Sequence, residues 1–209
     1  TIVGKELKVG DKIKEVPLVV NSKLDEKNIF EDNGELSKRA ENAIGGILAY
    51  AKELSLINNP LVNSYKRLRP GYDAPVYVSW SSNSNRSALL RVPMERQNGV
   101  KLELRSPDSA TNPYLCIAML IYSMLEGLEK EFDPDMAINR NMYKRIELPS
   151  DKALPDTLEE AIMEFENSSF AAENLGKELF SEYLKAKKEE WNEFNNSITD
   201  WEIKKYLER

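Results

Sequence analysis

Residues 100–105, Val-Lys-Leu-Glu-Leu-Arg, alternate strictly between apolar and charged side chains. A period of two puts Val100, Leu102 and Leu104 on one face of a β-strand and Lys101, Glu103 and Arg105 on the other. A strand with one apolar face needs a sheet around it and a layer against it. The next segment, "SPDSATNPYLCIAMLIYSMLEGLEKEF", turns helical from about Asn112 to Lys130. Pro113 fits its first turn, and Asp108, Ser109 or Thr111 is the expected cap.

The rest of the chain fits the same frame. "VYVSW" (76–80) and "RSALLRVP" (86–93) read as strands joined to 100–105 by short polar turns, which predicts an antiparallel sheet. Leu36, Ala40, Ile44, Ile47, Leu48, Ala51 and Leu54 fall at helical spacing, and Asn58, Asn59 and Pro60 stop that helix. Gly45 and Gly46 lie inside it. Each costs about 1 kcal/mol against Ala, so their presence predicts close packing on another element. Residues 63–75 read as a loop, and 133–156, with three prolines and no period, as a long surface loop. Thr157 caps a short amphipathic helix with Glu160 in capping-box position. One or two helices end the chain, with a stripe of Leu179, Tyr183, Ala186, Glu190 and Phe194 and with Trp191 beside it. Residues 1–26 read as short strands, with a hairpin turn at Gly10-Asp11.

Composition narrows the function. The 209 residues carry a formal net charge of −6, which argues against a general nucleic-acid binder. No run of about 18 apolar residues occurs, so no membrane span is expected, and the polar opening "TIVGKELKVGDK" is no signal peptide. The single cysteine, Cys116, rules out an internal disulfide and suits a reducing, cytoplasmic setting. It sits in an apolar helical run, which makes it a packed core thiol. The chain has no histidine at all. Zinc sites with histidine ligands and serine–histidine–aspartate triads are therefore impossible within it.

The cations gather in the loop-and-sheet section. Arg67 and Arg69 lie in the loop, Arg86 and Arg91 on one predicted strand, and Lys101 and Arg105 flank Glu103. Arg86 and Arg91 are five apart, so strict alternation puts them on opposite faces unless a bulge or strand end intervenes. Guanidinium forks suit carboxylates and phosphates, and a carboxylate among them suits Mg²⁺ or Mn²⁺. By residue type alone two readings stand. One is a site for an anionic substrate and a nucleotide phosphate. The other is cross-strand pairing on an exposed sheet face, worth about 0–1 kcal/mol per pair.

The strings "NPLVNSYKRLRPGYDAPVYVSW", "NRSALLRVP", "KLELRSPDSATNPYL" and "WEIKKYLE" resemble glutamine synthetase of the class I bacterial and archaeal type, over residues 27–209. The resemblance is to the C-terminal half of that enzyme's chain. It implies an α+β fold, a partial antiparallel sheet backed by helices, with residues 1–26 as a separate leader. It implies ATP-dependent ligation of ammonia to glutamate with Mg²⁺ or Mn²⁺. By the same resemblance, Arg67 and Arg105 match glutamate-binding arginines. Asp73 takes the place of the flap glutamate, one methylene shorter. Arg86 matches an arginine facing the transferred phosphoryl group. Arg91 and Lys101 match positions near the nucleotide, the latter an arginine in the family. Glu103 matches a metal-ligand glutamate, and Tyr143 falls in the loop whose tyrosine is adenylylated in some members.

The chain departs from the family pattern at 16–24, "VPLVVNSKL", where a histidine motif with a metal ligand is expected. The part of the family that supplies most metal-binding glutamates has no counterpart, and family sites form between adjacent subunits. The expectation is therefore a chain that does not catalyse alone. The alternative is a non-catalytic binding or regulatory module that associates with a full-length synthetase. Sheet edges left bare predict self-association. The first dozen residues resemble the N-terminal hairpin of thiol peroxidases, but no Thr-x-x-Cys site follows.

Overall fold

The computed structural model describes residues 18–20, 23–24, 27–72, 74–83, 85–94, 99–142 and 152–207. The hairpin read at Gly10-Asp11, Asp73 and Tyr143 lie outside the described residues. The described residues open with β1 (Leu18–Val20) and two short antiparallel pairs, β2 (Lys23–Leu24) with β3 (Lys27–Asn28) and β4 (Glu31–Asp32) with β5 (Glu35–Leu36). The β4–β5 turn has positive φ at both Asn33 (51°) and Gly34 (84°), as a tight two-residue hairpin demands. The Asn33-Gly34 pair is itself the sequence signal for such a turn.

The main sheet runs β1-β8-β7-β6, with β6 at Trp80–Ser81, β7 at Leu90–Arg91 and β8 at Leu102–Leu104. β8 is antiparallel to both neighbours, pairing Leu18 with Leu104 on one side and Arg91 with Glu103 on the other. β6 and β7, however, are parallel, with Trp80 opposite Leu90. The expected all-antiparallel sheet is thus mixed. The cause is the connection, which folds back across the strand end instead of making a tight hairpin. Asn85 organises it: its Oδ1 accepts from the Ser87 amide at 3.1 Å, and its Nδ2 donates to the carbonyls of Ile138 (3.2 Å) and Arg140 (2.7 Å). The loop is fastened to a distant segment, and the chain re-enters the sheet in the direction it left.

Helix α1 (Lys38–Ala49) is capped by Ser37, and the predicted helix breaks after Ala49 into turns and α2 (Ser55–Asn58). The segment read as loop from residue 63 opens with α3 (Val62–Arg67). Ser64 closes its first turn by accepting from the Leu61 amide at 3.0 Å, and Tyr65 is buried. α4 (Pro113–Glu129) has Pro113 in its first turn, but its cap is Asn112, which accepts from the amides of Tyr114 and Leu115. Asp108 and Thr111 are engaged elsewhere, Asp108 by the Ser64 hydroxyl and Thr111 as donor to the Ile57 carbonyl. α5 (Leu158–Glu166) has the predicted Thr157 cap, accepting from the Glu160 amide, but Glu160 reaches past the cap to accept from the Asp156 amide, so the expected box is only half formed.

α6 (Ser169–Leu175), α7 (Lys177–Asn196) and α8 (Asp200–Glu202) follow, with a π-helical turn at Ile203–Leu207. The inward face of α7 is rotated from the predicted stripe. Leu179 and Phe194 are exposed, while Phe180, Tyr183, Leu184 and Trp191 pack inward. Phe180 stacks on Phe165 at 4.9 Å and Tyr183 meets the same ring edge-on at 5.6 Å, so aromatic area decides the rotation. Among the described residues no helix is long and apolar enough to cross a membrane.

Two apolar clusters share α4. One joins the sheet to α1 and α4 through Ile44, Leu90, Leu102, Leu104 and Leu120; the other joins α4 to the later helices through Cys116, Met119, Leu158 and Phe165. α1 and α4 meet without side chains between them. A Cβ on Gly46 would lie 2.0 Å from the Ser123 carbonyl oxygen, and one on Gly127 would lie 2.2 Å from that of Asn42. The backbone cannot yield there, so Gly46→Ala is expected to destabilise the fold by about 1–3 kcal/mol or more, read as a lower urea midpoint.

Cys116 is buried and its Sγ lies 3.2 Å from Asn58 Oδ1. Burial pushes its thiol up to about 11 from an ordinary 9.0. The folded state favours the protonated thiol, so this contribution is intact below pH 9.0 and is lost as pH rises toward 11. Alkylation by iodoacetamide at pH 8 should run at least about tenfold slower in the native protein than in urea.

Candidate functional site

β8 places Leu102 and Leu104 in the core and turns Glu103 to the opposite face. Arg91 is its register partner on β7, so the two side chains share that face. Arg91 Nη2 donates to Glu103 Oε2 at 2.5 Å, and Arg105 Nε lies 3.7 Å from Glu103 Oε1. The side chains are 19 %, 7 % and 5 % exposed for Arg91, Glu103 and Arg105. The pairing foreseen on this face therefore exists, but it is buried, which removes it from the class of weak surface ion pairs.

Arg105 is held by more than charge. Its amide donates to the Leu89 carbonyl at 2.9 Å, and its Nη1 donates to the Arg86 carbonyl. Arg86 lies in a turn ahead of β7 with its side chain exposed, so strand alternation does not govern its position relative to Arg91. Arg67, at the end of α3, reaches the strand's continuation. Its Nη2 donates to the Ser106 carbonyl at 2.8 Å and to Asn59 Oδ1 at 2.9 Å. Asn59 Nδ2 in turn donates to Ser106 Oγ at 3.0 Å. Lys101 precedes β8 and is half-buried.

The fold thus brings Arg67, Arg91, Glu103 and Arg105 along one strand, with the backbone of Arg86 attached. Asp73 and Tyr143 lie outside the described residues. Sequence reasoning missed Asn59 and Ser106, which are both buried and hold Arg67. Asn59 was legible only as a helix stop, and its neighbour Asn58 as the same. An open cleft of about 460 Å³ lies elsewhere, between α1 and the segment from Phe132 to Ile138, with Trp80 in its wall; none of the arginines above lines it.

The three ionic groups on β7, on β8 and just after β8 comprise two guanidiniums and one carboxylate, a setting that favours an anion. A divalent metal fits less well. Mg²⁺ demands near-octahedral oxygen ligands, and both oxygens of Glu103 face guanidiniums. Among the described residues no group of three or more His, Cys, Asp or Glu is arranged to hold a metal.

Residues 20–206 match the family model of the glutamine synthetase catalytic domain. The glutamine synthetase of Methanosarcina mazei is 45 % identical over 190 residues, covering 88 % of this chain and 42 % of that protein. The Thermotoga maritima glutamine synthetase is 40 % identical over 189 residues, covering 87 % and 43 % respectively. A solved GmaS/ADP complex superposes with a TM-score of 0.81 at 30 % identity, over 93 % of this chain and 46 % of that one. The chain therefore spans less than half the length of the curated relatives it matches. On the family match and these identities, the chain belongs to the glutamine synthetase family, within its catalytic domain.

Proposed function

We propose that this chain forms the glutamate- and phosphate-facing wall of an ATP-dependent glutamate–ammonia ligase site. The supporting observation is the Arg91–Glu103–Arg105 cluster on β7, on β8 and at the residue after β8, with Arg67 fastened to Ser106 just beyond it. Arg67 and Arg105 bind the carboxylates of glutamate as forks. Arg86, exposed on its turn, faces the phosphoryl group in transfer, and Arg91 and Lys101 face the nucleotide phosphates. Asp73 closes over the intermediate and helps draw a proton from ammonium. Tyr143 remains unmodified.

In the reaction, a glutamate carboxylate oxygen takes the γ-phosphoryl group of ATP and ADP leaves. Ammonia then attacks the acyl phosphate carbon and inorganic phosphate departs, leaving glutamine. The arginines lower the barrier by offsetting charge on the phosphoryl oxygens and by holding glutamate in line. The divalent metal implied by the family meets a poor ligand in Glu103, whose Oε2 is already paired with Arg91 at 2.5 Å.

These residues supply one wall, so the chain by itself does not complete the reaction. Exposed apolar side chains on α4 (Tyr114, Ile121, Leu125) and near the last helix (Trp201, Leu207) favour association with a second copy or with a full-length synthetase. Titration calorimetry with Mg-ATP and glutamate, alone and with a full-length synthetase, tests the whole reading. Heat is expected chiefly when the synthetase is present, and less of it for Arg67→Ala and Arg105→Ala. Glutamine formed by the purified chain alone, and abolished by Glu103→Ala, would overturn the inactive-alone reading.

A further inference from the structure

We infer that the outward face of α4 is a pairing surface for α4 of a second copy of this chain, running antiparallel with Ile121 on the two-fold axis. The self-association favoured by exposed apolar side chains thereby acquires one surface and one geometry, and it stands independently of the ligase reading.

α4 carries no charged residue from Pro113 to Leu125. Its inward side is taken up by the two cores, through Cys116, Met119, Leu120 and Met124. The outward side is apolar as well. Tyr114 is 84 % exposed, Leu125 53 % and Ile121 44 %, and Tyr122 stands beside them at 43 %. Ile117, Ala118 and Leu128 are half-buried on the same side. At 3.6 residues per turn these positions cover about 140° of the helix circumference. Glu129 is the one charged residue within that arc. A surface helix ordinarily turns charge outward, as α7 does with Glu178, Glu182, Lys185 and Glu189. A helix that is apolar all round belongs to a buried setting.

The spacing identifies the occupant. Tyr114, Ala118, Ile121, Leu125 and Leu128 follow one another at alternating steps of four and three, the seam along which two helices pack. Its large side chains are placed evenly about Ile121. Tyr114 and Leu128 lie seven residues to either side, and Ile117 and Leu125 lie four. A second α4 running the opposite way therefore sets Tyr114 against Leu128 of the other copy, and Ile117 against Leu125. Charge selects the direction. Glu129 lies eight residues after Ile121 and Pro113 eight before it, so antiparallel pairing brings Glu129 to the first turn of the other helix, where the dipole is positive. A parallel pair would oppose Glu129 to Glu129 and align the two dipoles. The antiparallel contact uses the same patch on both copies, so assembly through it closes at a dimer.

Sedimentation velocity on the 209-residue chain reads the pairing. A dimer dissociating in the range of about 1–100 μM is expected, because a single helix pair buries less than a standard interface. Ile121→Glu puts two carboxylates on the axis and should weaken the dimer at least about hundredfold. Tyr114→Glu, at a position outside both cores, serves where Ile121→Glu loses the wild-type circular dichroism. Leu179→Glu and Trp201→Glu, exposed on α7 and α8, should leave the dimer unchanged. Ile121→Cys oxidised with diamide should form a covalent dimer while the buried Cys116 stays free. Tyr114→Cys should not bridge to itself, since its two copies stand about 21 Å apart, but should bridge to Leu128→Cys when the two variants are mixed. A monomer throughout that range, a dimer that survives both glutamate variants, loss of the dimer in Leu179→Glu or Trp201→Glu, or a Tyr114→Cys self-bridge overturns the proposal. A chain that stays monomeric and binds only a full-length synthetase overturns it too. Dimerisation without heat from Mg-ATP and glutamate, with synthetase present, drops the ligase reading and keeps the pairing; heat without dimerisation does the reverse.

Discussion

The molecule is organised by one contact, the backbone-to-backbone crossing of α1 and α4 at Gly46 and Gly127. Any side chain there would collide with a main-chain oxygen, with room of only 2.0 Å at Gly46 and 2.2 Å at Gly127. Gly45 adds a third close approach, to the Phe132 carbonyl at 2.6 Å. The intrinsic helix cost of these glycines is offset by a fit that larger residues cannot make. Because α4 follows β8 by a short loop, fixing α4 also fixes where β8 ends. The loop itself is tied down, with the Asp108 amide donating to the Asn58 carbonyl at 2.9 Å and the Thr111 hydroxyl to that of Ile57 at 2.7 Å.

On that fixed strand, burial of Glu103 imposes the rest of the site. A lone buried carboxylate is strongly disfavoured by desolvation, and removing one partner of a buried pair typically costs about 3–5 kcal/mol. The two neighbouring guanidiniums are thus a condition of the fold. Their geometry follows from register. Arg91 is opposite Glu103 because β7 pairs antiparallel with β8, and a slip of one residue would send it to the apolar face.

Much of this was legible in the sequence, for physical reasons. The alternation in 100–105 gave both faces of β8 correctly, and Gly45-Gly46 announced a close crossing. Thr157 and Glu160 marked their helix start. The parallel pairing of β6 and β7 had no such mark, because a ladder of two residues carries no period and its direction depends on Asn85 reaching Ile138 and Arg140. α3 is too short for a hydrophobic period to emerge, and in α7 several aromatic residues on adjoining faces blurred which side turns inward. The positions of the arginines and of Glu103 were picked out by likeness to a family. That Glu103 pairs with Arg91 was not visible in the strings, since it depends on which residues the register sets opposite each other.

The two halves of the candidate site stand on different cores. Arg91, Glu103 and Arg105 ride on the sheet, whose apolar face packs with α1 and α4. Arg67 ends α3, whose Tyr65 and the following Leu68 belong to the second cluster with α5 and α6. The distance between the two groups is set by what joins the clusters. That link is α4, which gives Leu120 and Met124 to the first and Cys116 and Met119 to the second. The bond from Arg67 to the Ser106 carbonyl closes the same loop locally, at 2.8 Å. A substitution that tilts α4 at the glycine crossing would therefore shift Arg67 relative to Arg105 without touching either. Any carboxylate or phosphate held between two such arginines would sense the shift, because fork recognition depends on orientation as well as on charge. The glycine crossing, which holds none of the site's charged groups among its close contacts, is in this sense part of its geometry.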